Sequence, residues 1–203
     1  MTRRFTGDRL LVATHNRGKL EEMAHLLAPH GVSVLGAAEM ELPEPAETED
    51  TFAGNARIKA HAAAAATGLP ALADDSGITI DALDGAPGVY TADWAETGQG
   101  RDFLQAMTRA HDALLARGAP QPWTAQFRCT LVLAWPDGHD EIFEGVAPGH
   151  LVWPIRGRDG FGYDPMFVPE GHDQTYAEMD RWEKNRISHR ARAVARFIAG
   201  CFG

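Results

Sequence analysis

Two adjacent aspartates, Asp74 and Asp75, come directly after an apolar stretch that is predicted to form a strand. Two carboxylates placed side by side raise each other's pKa, so the arrangement is unfavourable unless a cation lies nearby. Mg2+ is typically held by one or two carboxylates together with substrate phosphates, and a metal-assisted phosphate site is therefore one interpretation. The run Asp-Asp-Ser-Gly is also typical of a turn whose side chains bond to local backbone. The pair alone leaves both interpretations open.

A polar loop near the start of the sequence is a candidate anion site. It follows the predicted strand 10–13 and precedes the helical spacing of Leu20, Met23 and Leu27. The free N–H groups at the start of a helix attract anions. A Walker motif is absent, because only one glycine precedes Lys19 and Leu20 follows it. The loop therefore fits a phosphate site or an ordinary strand-to-helix turn with a solvated lysine.

Acidic residues crowd the segment before the next predicted helix. The loop contains Glu44, Glu47 and Glu49. Such a cluster is most often a solvated face, and the alternative is that one acid completes a cation site with the aspartates. On the helix itself, Asn55 and Lys59 are four residues apart and share a face. They fit a binding surface or ordinary surface ion pairs.

Two segments late in the chain combine cations, glycines and aromatic residues. In the loop 156–165, glycines let the backbone approach a ligand closely, and the aromatic rings can stack on a base. We expect the segment 184–190 to begin the last helix, with Ser188 as its N-cap. An arginine at a helix start, as at Arg190, opposes the helix dipole and favours an acceptor nearby. A structural loop and a surface helix are the alternatives.

Strands and helices between these candidates predict an α/β protein with a mixed sheet. Predicted strands cover 10–13, 32–35, 70–73, 78–80, 123–135 and 139–147, and predicted helices cover 20–29, 52–67, 101–117 and 188–202. Gly68 and Gly118 end two of the helices. The last two strands form a hairpin across a Pro-Asp-Gly turn. We expect a single domain, 1–203.

Composition limits the class of protein. The chain has 203 residues, 44% of them apolar, and a net charge of −9 from 19 Lys and Arg against 28 Asp and Glu. The apolar fraction excludes intrinsic disorder, and the acidic balance argues against nucleic acid as a partner. No apolar run approaches the ~20 residues of a membrane span. Cys129 and Cys201 form no Cys-x-x-Cys pattern, so we expect a cytoplasmic protein without a disulfide framework.

Six segments together resemble the inosine triphosphate pyrophosphatase family. They are ATHNRGK at 13–19, ETEDTFAGNARIKA at 47–60, ADDSGI at 73–78, GAPGVYTA at 85–92, GFGYDPMF at 160–167 and KNRISHR at 184–190. One such segment would be a weak signal. Six in the same order, across nearly the whole chain, make the resemblance specific.

The resemblance implies an elongated α/β fold of two lobes, with a mixed central sheet flanked by helices and an active-site cleft between the lobes. It implies an enzyme that requires Mg2+ and converts ITP, XTP and their deoxy forms to the monophosphate and pyrophosphate. It further implies a homodimer that acts on a small nucleotide, with no nucleic acid and no membrane as partners.

The resemblance also implies a role for each candidate residue. Asp75 would be the catalytic, metal-binding acid with Asp74 as its catalytic neighbour, and Glu47 the second metal ligand, although Glu44 is close enough to replace it. The implied substrate-binding residues are Thr14, His15, Asn16, Arg17, Gly18, Lys19, Asn55, Lys59, Ser76, Phe161, Gly162, Tyr163, Asp164, Lys184, His189 and Arg190. Either aspartate fits the base that deprotonates the attacking water. Donors at His189 and Arg190 would suit a 6-oxo purine and disfavour adenine.

Three positions depart from the family pattern. His15 and Glu49 stand where glycine is usual, and Asp93 stands where arginine is common. His15 fits an exposed substitution or a new contact to base or phosphate. These departures leave the expected reaction unchanged and bear on substrate preference. Two other functions stay open from the sequence, a non-catalytic nucleotide sensor and a pyrophosphatase for other modified nucleotides.

Overall fold

The computed structural model describes residues 2–202 and has an α/β fold with a six-stranded sheet. The strands are β1 (Arg9–Val12), β2 (Ser33–Gly36), β3 (Ala71–Ile80), β4 (Glu96–Thr97), β5 (Gly100–Arg101), β6 (Trp123–Ala134), β7 (Asp140–Leu151) and β8 (Phe167–Pro169). The helices are α1 (Arg17–Leu27), α2 (Phe52–Thr67), α3 (Phe103–Ala116), α4 (Arg181–Ile187) and α5 (His189–Cys201). Within residues 2–202, no helix has the length and apolarity that crossing a bilayer requires.

The sheet has the strand order β2-β1-β3-β6-β7-β8, and β4 pairs with β5 in a separate two-stranded sheet. β1 runs parallel to β2, with Leu11 opposite Leu35, and parallel to β3, with Leu11 opposite Ala71. β7 and β8 are antiparallel, with His150 opposite Val168. Parallel and antiparallel pairs in one sheet confirm the predicted mixed sheet.

Two compact units make up the chain. The first contains the described residues up to Asp75, the segment Cys129–Gly145 and the chain from Arg190 onward. The second contains Ser76–Arg128 and Val146–His189. Each unit buries its own apolar core. Three of the four boundaries between the units fall within the strands β3, β6 and β7, and the fourth falls in the first turn of α5, so none of them lies in a linker.

The first unit buries both faces of its strands, since their apolar residues alternate between two cores. On β1, Leu10 belongs to one core and Leu11 to the other. The core with Leu10 contains large side chains of α1 and α5, such as Met23 and Phe197. On the other face, α2 meets the sheet through small side chains only, those of Ala56, Ala60, Ala63 and Ala64.

The second unit buries one larger core. Met107 and Leu114 of α3 pack in it with Phe127 of β6 and Phe167 of β8. The Phe127 and Phe167 rings meet edge to face, with centroids 4.8 Å apart. Tyr163 of the glycine-rich loop 156–165 packs in the same core.

The structure confirms some predicted elements and corrects others. α2 spans the predicted Phe52–Thr67, and Gly68 ends it in the left-handed region at φ 68°. The two separate strands predicted at 70–73 and 78–80 are one ten-residue strand, β3, that includes Asp74 and Asp75. The turn interpretation of Asp-Asp-Ser-Gly was therefore wrong.

The structure confirms the predicted last helix, 188–202, as α5, but a short helix precedes it. α4 ends at Ile187, Ser188 has extended backbone, and α5 begins at His189. Residues 184–187, which were expected at the start of the last helix, instead end α4, and the sequence analysis missed that helix. The residue that could have indicated α4 in the sequence is Asp180. It is the N-cap of this helix, and its side chain accepts a hydrogen bond from the backbone N–H of Trp182 at 2.9 Å.

Candidate active site

Lys19 and Asp74 meet in the first unit. Asn16 is the N-cap of α1, and its Oδ1 accepts from the backbone N–H of Lys19 at 3.1 Å. This cap fixes the first turn of the helix, whose free N–H groups favour an anion. Lys19 Nζ lies 2.9 Å from Asp74 Oδ2, and the aspartate side chain is only 3% exposed. The sequence prediction of an anion-binding lysine beside the acid pair is consistent with this geometry.

A buried arginine also binds Asp74. Arg190 Nη2 donates to Asp74 Oδ2 at 3.2 Å, and its Nη1 donates to Glu22 Oε2 at 2.6 Å. Burial raises the pKa of Asp74, but Lys19, Arg190 and Lys59 outweigh it and hold that pKa far below its usual range. Asp74 is therefore a permanent carboxylate and a poor proton acceptor.

Asp75 has the opposite environment. Burial raises its pKa to about 6, and although Lys59 and Lys19 lower it, the carboxylates of Glu47 and Asp74 raise it further. Lys59 Nζ lies 3.9 Å from Asp75 Oδ1 but 2.5 Å from Glu47 Oε1, so the ammonium group is bound mainly by Glu47. Of the two neighbouring acids, Asp75 is the one whose protonation changes near neutral pH.

The acidic loop is tied to the first turn of α2. Asn55, which is 3% exposed, accepts through Oδ1 from the backbone N–H of Glu49 at 2.9 Å. A Cβ at Gly54 would lie 2.5 Å from the Cβ of Glu49, so glycine is required where the Glu49 side chain crosses the helix. Both contacts position the loop so that Glu47 reaches Lys59, and although Glu44 and Glu47 are both exposed, Glu47 is the one that pairs with this lysine.

The acids Asp75 and Glu47 fit a magnesium ion. Both offer the hard carboxylate oxygens that Mg2+ prefers, and burial together with the charge of Glu47 raises the pKa of Asp75, so a cation at this place would stabilise its carboxylate form. Within residues 2–202, no cluster of three or more His, Cys, Asp or Glu side chains is arranged to hold a metal. A site of two carboxylates suits a Mg2+ that completes its coordination with phosphates and water.

Another predicted group lies together in the second unit. Asp164 Oδ2 accepts from Lys184 Nζ at 2.5 Å and from the backbone N–H of Phe161 at 2.8 Å. The ammonium group also lies 4.5 Å from the centroid of the Phe161 ring, which is half exposed. A Cβ at Gly160 would meet Asp164 Oδ2, so glycine lets the loop close over the acid. The result is an exposed aromatic surface over a buried lysine.

Two further predicted residues are buried in the aromatic core of the second unit. His189 stacks on Phe127, with centroids 5.0 Å apart and planes 15° apart. Tyr163 is fully buried and meets Phe103 edge to face at 6.2 Å. Burial raises the pKa of the Tyr163 hydroxyl. Ser76 follows Asp75 in β3 and is half-buried. The substrate contacts predicted for these residues stay predictions.

The remaining predicted positions are more exposed. His15 is exposed, in agreement with a surface substitution, and Thr14 accepts through Oγ1 from the backbone N–H of Asn16 at 3.2 Å. Arg17 is 91% exposed and pairs with Glu21 at 3.0 Å. Asp93 is exposed as well.

Glu22 is the functional residue that sequence reasoning missed. It lies three residues after Lys19 on α1 and therefore on the same face of the helix. Its side chain is 8% exposed and neutralises Arg190. The sequence feature that could have revealed Glu22 is an acidic residue on the apolar face of α1, next to the buried Met23 and Leu27.

Fold and site define a class: an α/β protein in which lysines of two helices lie close to two adjacent acids of one strand. The chain belongs to the Ham1 family, whose model matches residues 10–200. It is 84% identical to the dITP/XTP pyrophosphatase of Ruegeria pomeroyi over the full length of both chains. It is 57% identical to the dITP/XTP pyrophosphatase of Rhodospirillum centenum over 98% of each chain.

Solved structures agree with the fold. The structure of a HAM1 protein from Coxiella burnetii superposes with a TM-score of 0.87 at 38% identity, covering 94% of this chain and 96% of that one. The Ham1 protein of Staphylococcus aureus gives a TM-score of 0.82 at 31% identity, with the same coverage.

Proposed function

We propose that this protein is a nucleoside-triphosphate pyrophosphatase that hydrolyses dITP, ITP and XTP to the monophosphate and pyrophosphate, and so removes these nucleotides from the cellular pool. The observation that carries the proposal is that the two neighbouring aspartates have unlike environments. Asp74 is bound by Lys19. Asp75 lies beside Lys59, which is itself bound by Glu47. The names of the relatives support the substrate class. We further propose that the protein acts in the cytoplasm as a homodimer.

The lysines bind the substrate. A nucleoside triphosphate is strongly anionic and the protein has a net charge of −9, so binding needs local positive charge. Lys19 and Lys59 supply it beside the acids, and the first turn of α1 adds free N–H groups. Hydrolysis of a phosphoanhydride depends mainly on positioning and charge stabilisation, which these groups provide.

The two aspartates have different roles. Asp74 keeps its charge and orients Lys19, because Arg190 and Lys19 stabilise its carboxylate form. Asp75 accepts the proton of the attacking water, because Lys19 and Arg190 hold the carboxylate of Asp74 and leave Asp75 as the acid of the pair that can take up a proton. Asp75 and Glu47 would also hold Mg2+, which when bound neutralises phosphate charge and polarises the scissile anhydride.

Phe161 supports recognition of the base. Its exposed ring offers a stacking surface, and the backbone around it is fixed by Asp164 and Lys184. At position 6 of the base, a 6-oxo purine presents a hydrogen-bond acceptor and adenine presents a donor. When adenine binds to a site that provides donors there, those donors have no partner. The value of kcat/KM for an adenine nucleotide is therefore much lower than for a 6-oxo purine nucleotide.

A substrate panel tests this function. We expect pyrophosphate release from dITP and XTP to exceed that from dATP by roughly 10^3-fold or more in kcat/KM, because unpaired polar groups penalise the wrong base. Pyrophosphate release is measured with Mg2+ across dITP, ITP, XTP, dATP and dTTP. Binding without release would favour a nucleotide sensor, and a preference for other nucleotides would contradict the 6-oxo purine assignment.

A further inference from the structure

A salt-bridge network outside the candidate active site joins α2 to the start of β7. Asp140 Oδ2 accepts from Arg57 Nε at 3.0 Å and contacts His61 Nε2 at 2.9 Å, and Asp140 Oδ1 accepts from Arg57 Nη2 at 3.2 Å. The Asp140 side chain is 17% exposed. A two-pronged arginine contact with a shielded carboxylate is stronger than a single exposed ion pair. We call these three residues the Asp140 network.

The network holds the edge of α2 that lies opposite the active-site edge. At 100° per residue, Asn55 and Lys59 lie on one edge of the helix and Arg57 and His61 on the other. Between the two edges lies the buried row of alanines. Methyl groups form low ridges, which resist sliding and rotation of a helix less than large interlocking side chains do.

A small rotation of α2 would move Lys59 out of place. A side-chain tip lies about 5–6 Å from the helix axis, so a rotation of about 10° moves it by about 1 Å. An error of this size at a reacting centre can lower the rate about 10²-fold. Lys59 has to lie near both Glu47 and Asp75, so its position tolerates little rotation.

We propose that Asp140 is a positioning residue that fixes the rotation of α2 through Arg57 and His61 and thereby places Lys59 in the active site. The inference rests on the proposed function for its effect on turnover, but the constraint on α2 is independent of it. Asp140 binds Arg57 and His61, which lie on the edge of α2 opposite Lys59. Its effect is transmitted through the helix.

The test is Asp140→Asn in the full-length protein, which keeps the shape and removes the charge. We expect kcat for dITP with Mg2+ to fall about 10-fold to 100-fold while KM changes less than about threefold, because a misplaced lysine harms the transition state most. Asp140→Glu should restore at least half of the wild-type kcat. A kcat unchanged by Asp140→Asn in an active wild-type background would overturn the inference.

A second readout does not need activity. Amide hydrogen exchange of residues 52–67 should be at least about fivefold faster in Asp140→Asn than in the wild type, since the helix has lost an anchor. Unchanged exchange there would contradict the proposal even if the protein hydrolysed no nucleotide. If Asp140→Asn does not fold, His61→Gln removes one contact and should give an intermediate loss. An unchanged kcat and exchange in that variant would contradict the proposal too.

Arg3→Ala is the matched control. Arg3 Nη1 pairs with Asp137 at 2.6 Å, so this variant removes an ion pair from the turn before β7 without touching α2. We expect kcat and the exchange of residues 52–67 to stay at the wild-type level. A loss equal to that of Asp140→Asn would show that any weakening of this region lowers activity and would overturn the specific role of Asp140.

Discussion

Asp75→Asn is expected to lower kcat for dITP by roughly 10^3-fold while the protein stays folded. The asparagine cannot accept a proton from water and binds Mg2+ more weakly than a carboxylate, and loss of a general base alone costs about 10² to 10⁴. The measurement is steady-state pyrophosphate release with Mg2+. Asp74→Asn is the comparison, because that acid contacts Lys19 and Arg190 and is not the proposed base. Near-normal turnover in Asp75→Asn would remove Asp75 from the chemistry.

The same variant should be more stable than the wild type when metal is absent. Because the folded-state pKa of Asp75 is raised from 3.8 to about 6, the folded protein binds more protons than the unfolded chain between these pH values. The free energy of unfolding therefore falls as pH rises through this window, by roughly 2–3 kcal/mol in all. The asparagine of Asp75→Asn does not ionise, so this variant does not lose stability in that window. Its free energy of unfolding should equal that of the wild type near pH 4 and exceed it by the full amount above pH 7. Urea unfolding in EDTA at pH 4 and pH 8 measures this difference in stability. An Asp75→Asn variant that is less stable than the wild type at pH 8 would contradict the raised pKa of Asp75.

Arg190→Met is expected to lower the free energy of unfolding by about 3–5 kcal/mol, because it removes the buried cation that pairs with both Glu22 and Asp74. Activity should fall for every nucleotide to a similar degree, since the loss acts through Asp74 and Lys19. Urea unfolding and the nucleotide panel measure the two effects.

Arg196→Met is the control for Arg190→Met on the same helix. Arg196 is exposed and donates to the backbone carbonyl of Glu144 at 2.9 Å, so its loss should change stability by less than about 0.5 kcal/mol. A fully stable Arg190→Met that lost activity toward dITP alone would instead support the sequence prediction that Arg190 contacts the base.

Local sequence patterns predicted those elements whose ends are set by capping residues and glycines. α2 has a threonine N-cap, an alanine-rich interior and a glycine at its end, and its bounds were predicted to the residue. The bounds of β3 were not predicted, because residues 74–77 favour a turn on their own and pairing in the sheet overrides that preference. Lysines and an arginine neutralise the acids, so the strand can continue through them. That compensation comes from residues distant in sequence, which no local pattern contains.

The site was predictable as a set of residues but not as a division of roles. The sequence places Asp74 and Asp75 side by side and gives no reason to prefer either as the base. Their difference depends on which cations approach each carboxylate, and Arg190 lies 116 residues away from Asp74 along the chain. Glu47 is distinguished from Glu44 by its contact with Lys59. Burial and long-range pairing, rather than residue type, separate these roles.

The most direct measurement is the product formed from dITP with Mg2+ and with EDTA. The two-acid site predicts one pyrophosphate and one dIMP for each dITP consumed with Mg2+. It predicts almost no turnover with EDTA, because without the cation the lysines alone face the negative charge of the triphosphate and of the acids Asp75 and Glu47. Release of orthophosphate in place of pyrophosphate, or full turnover in EDTA, would contradict it.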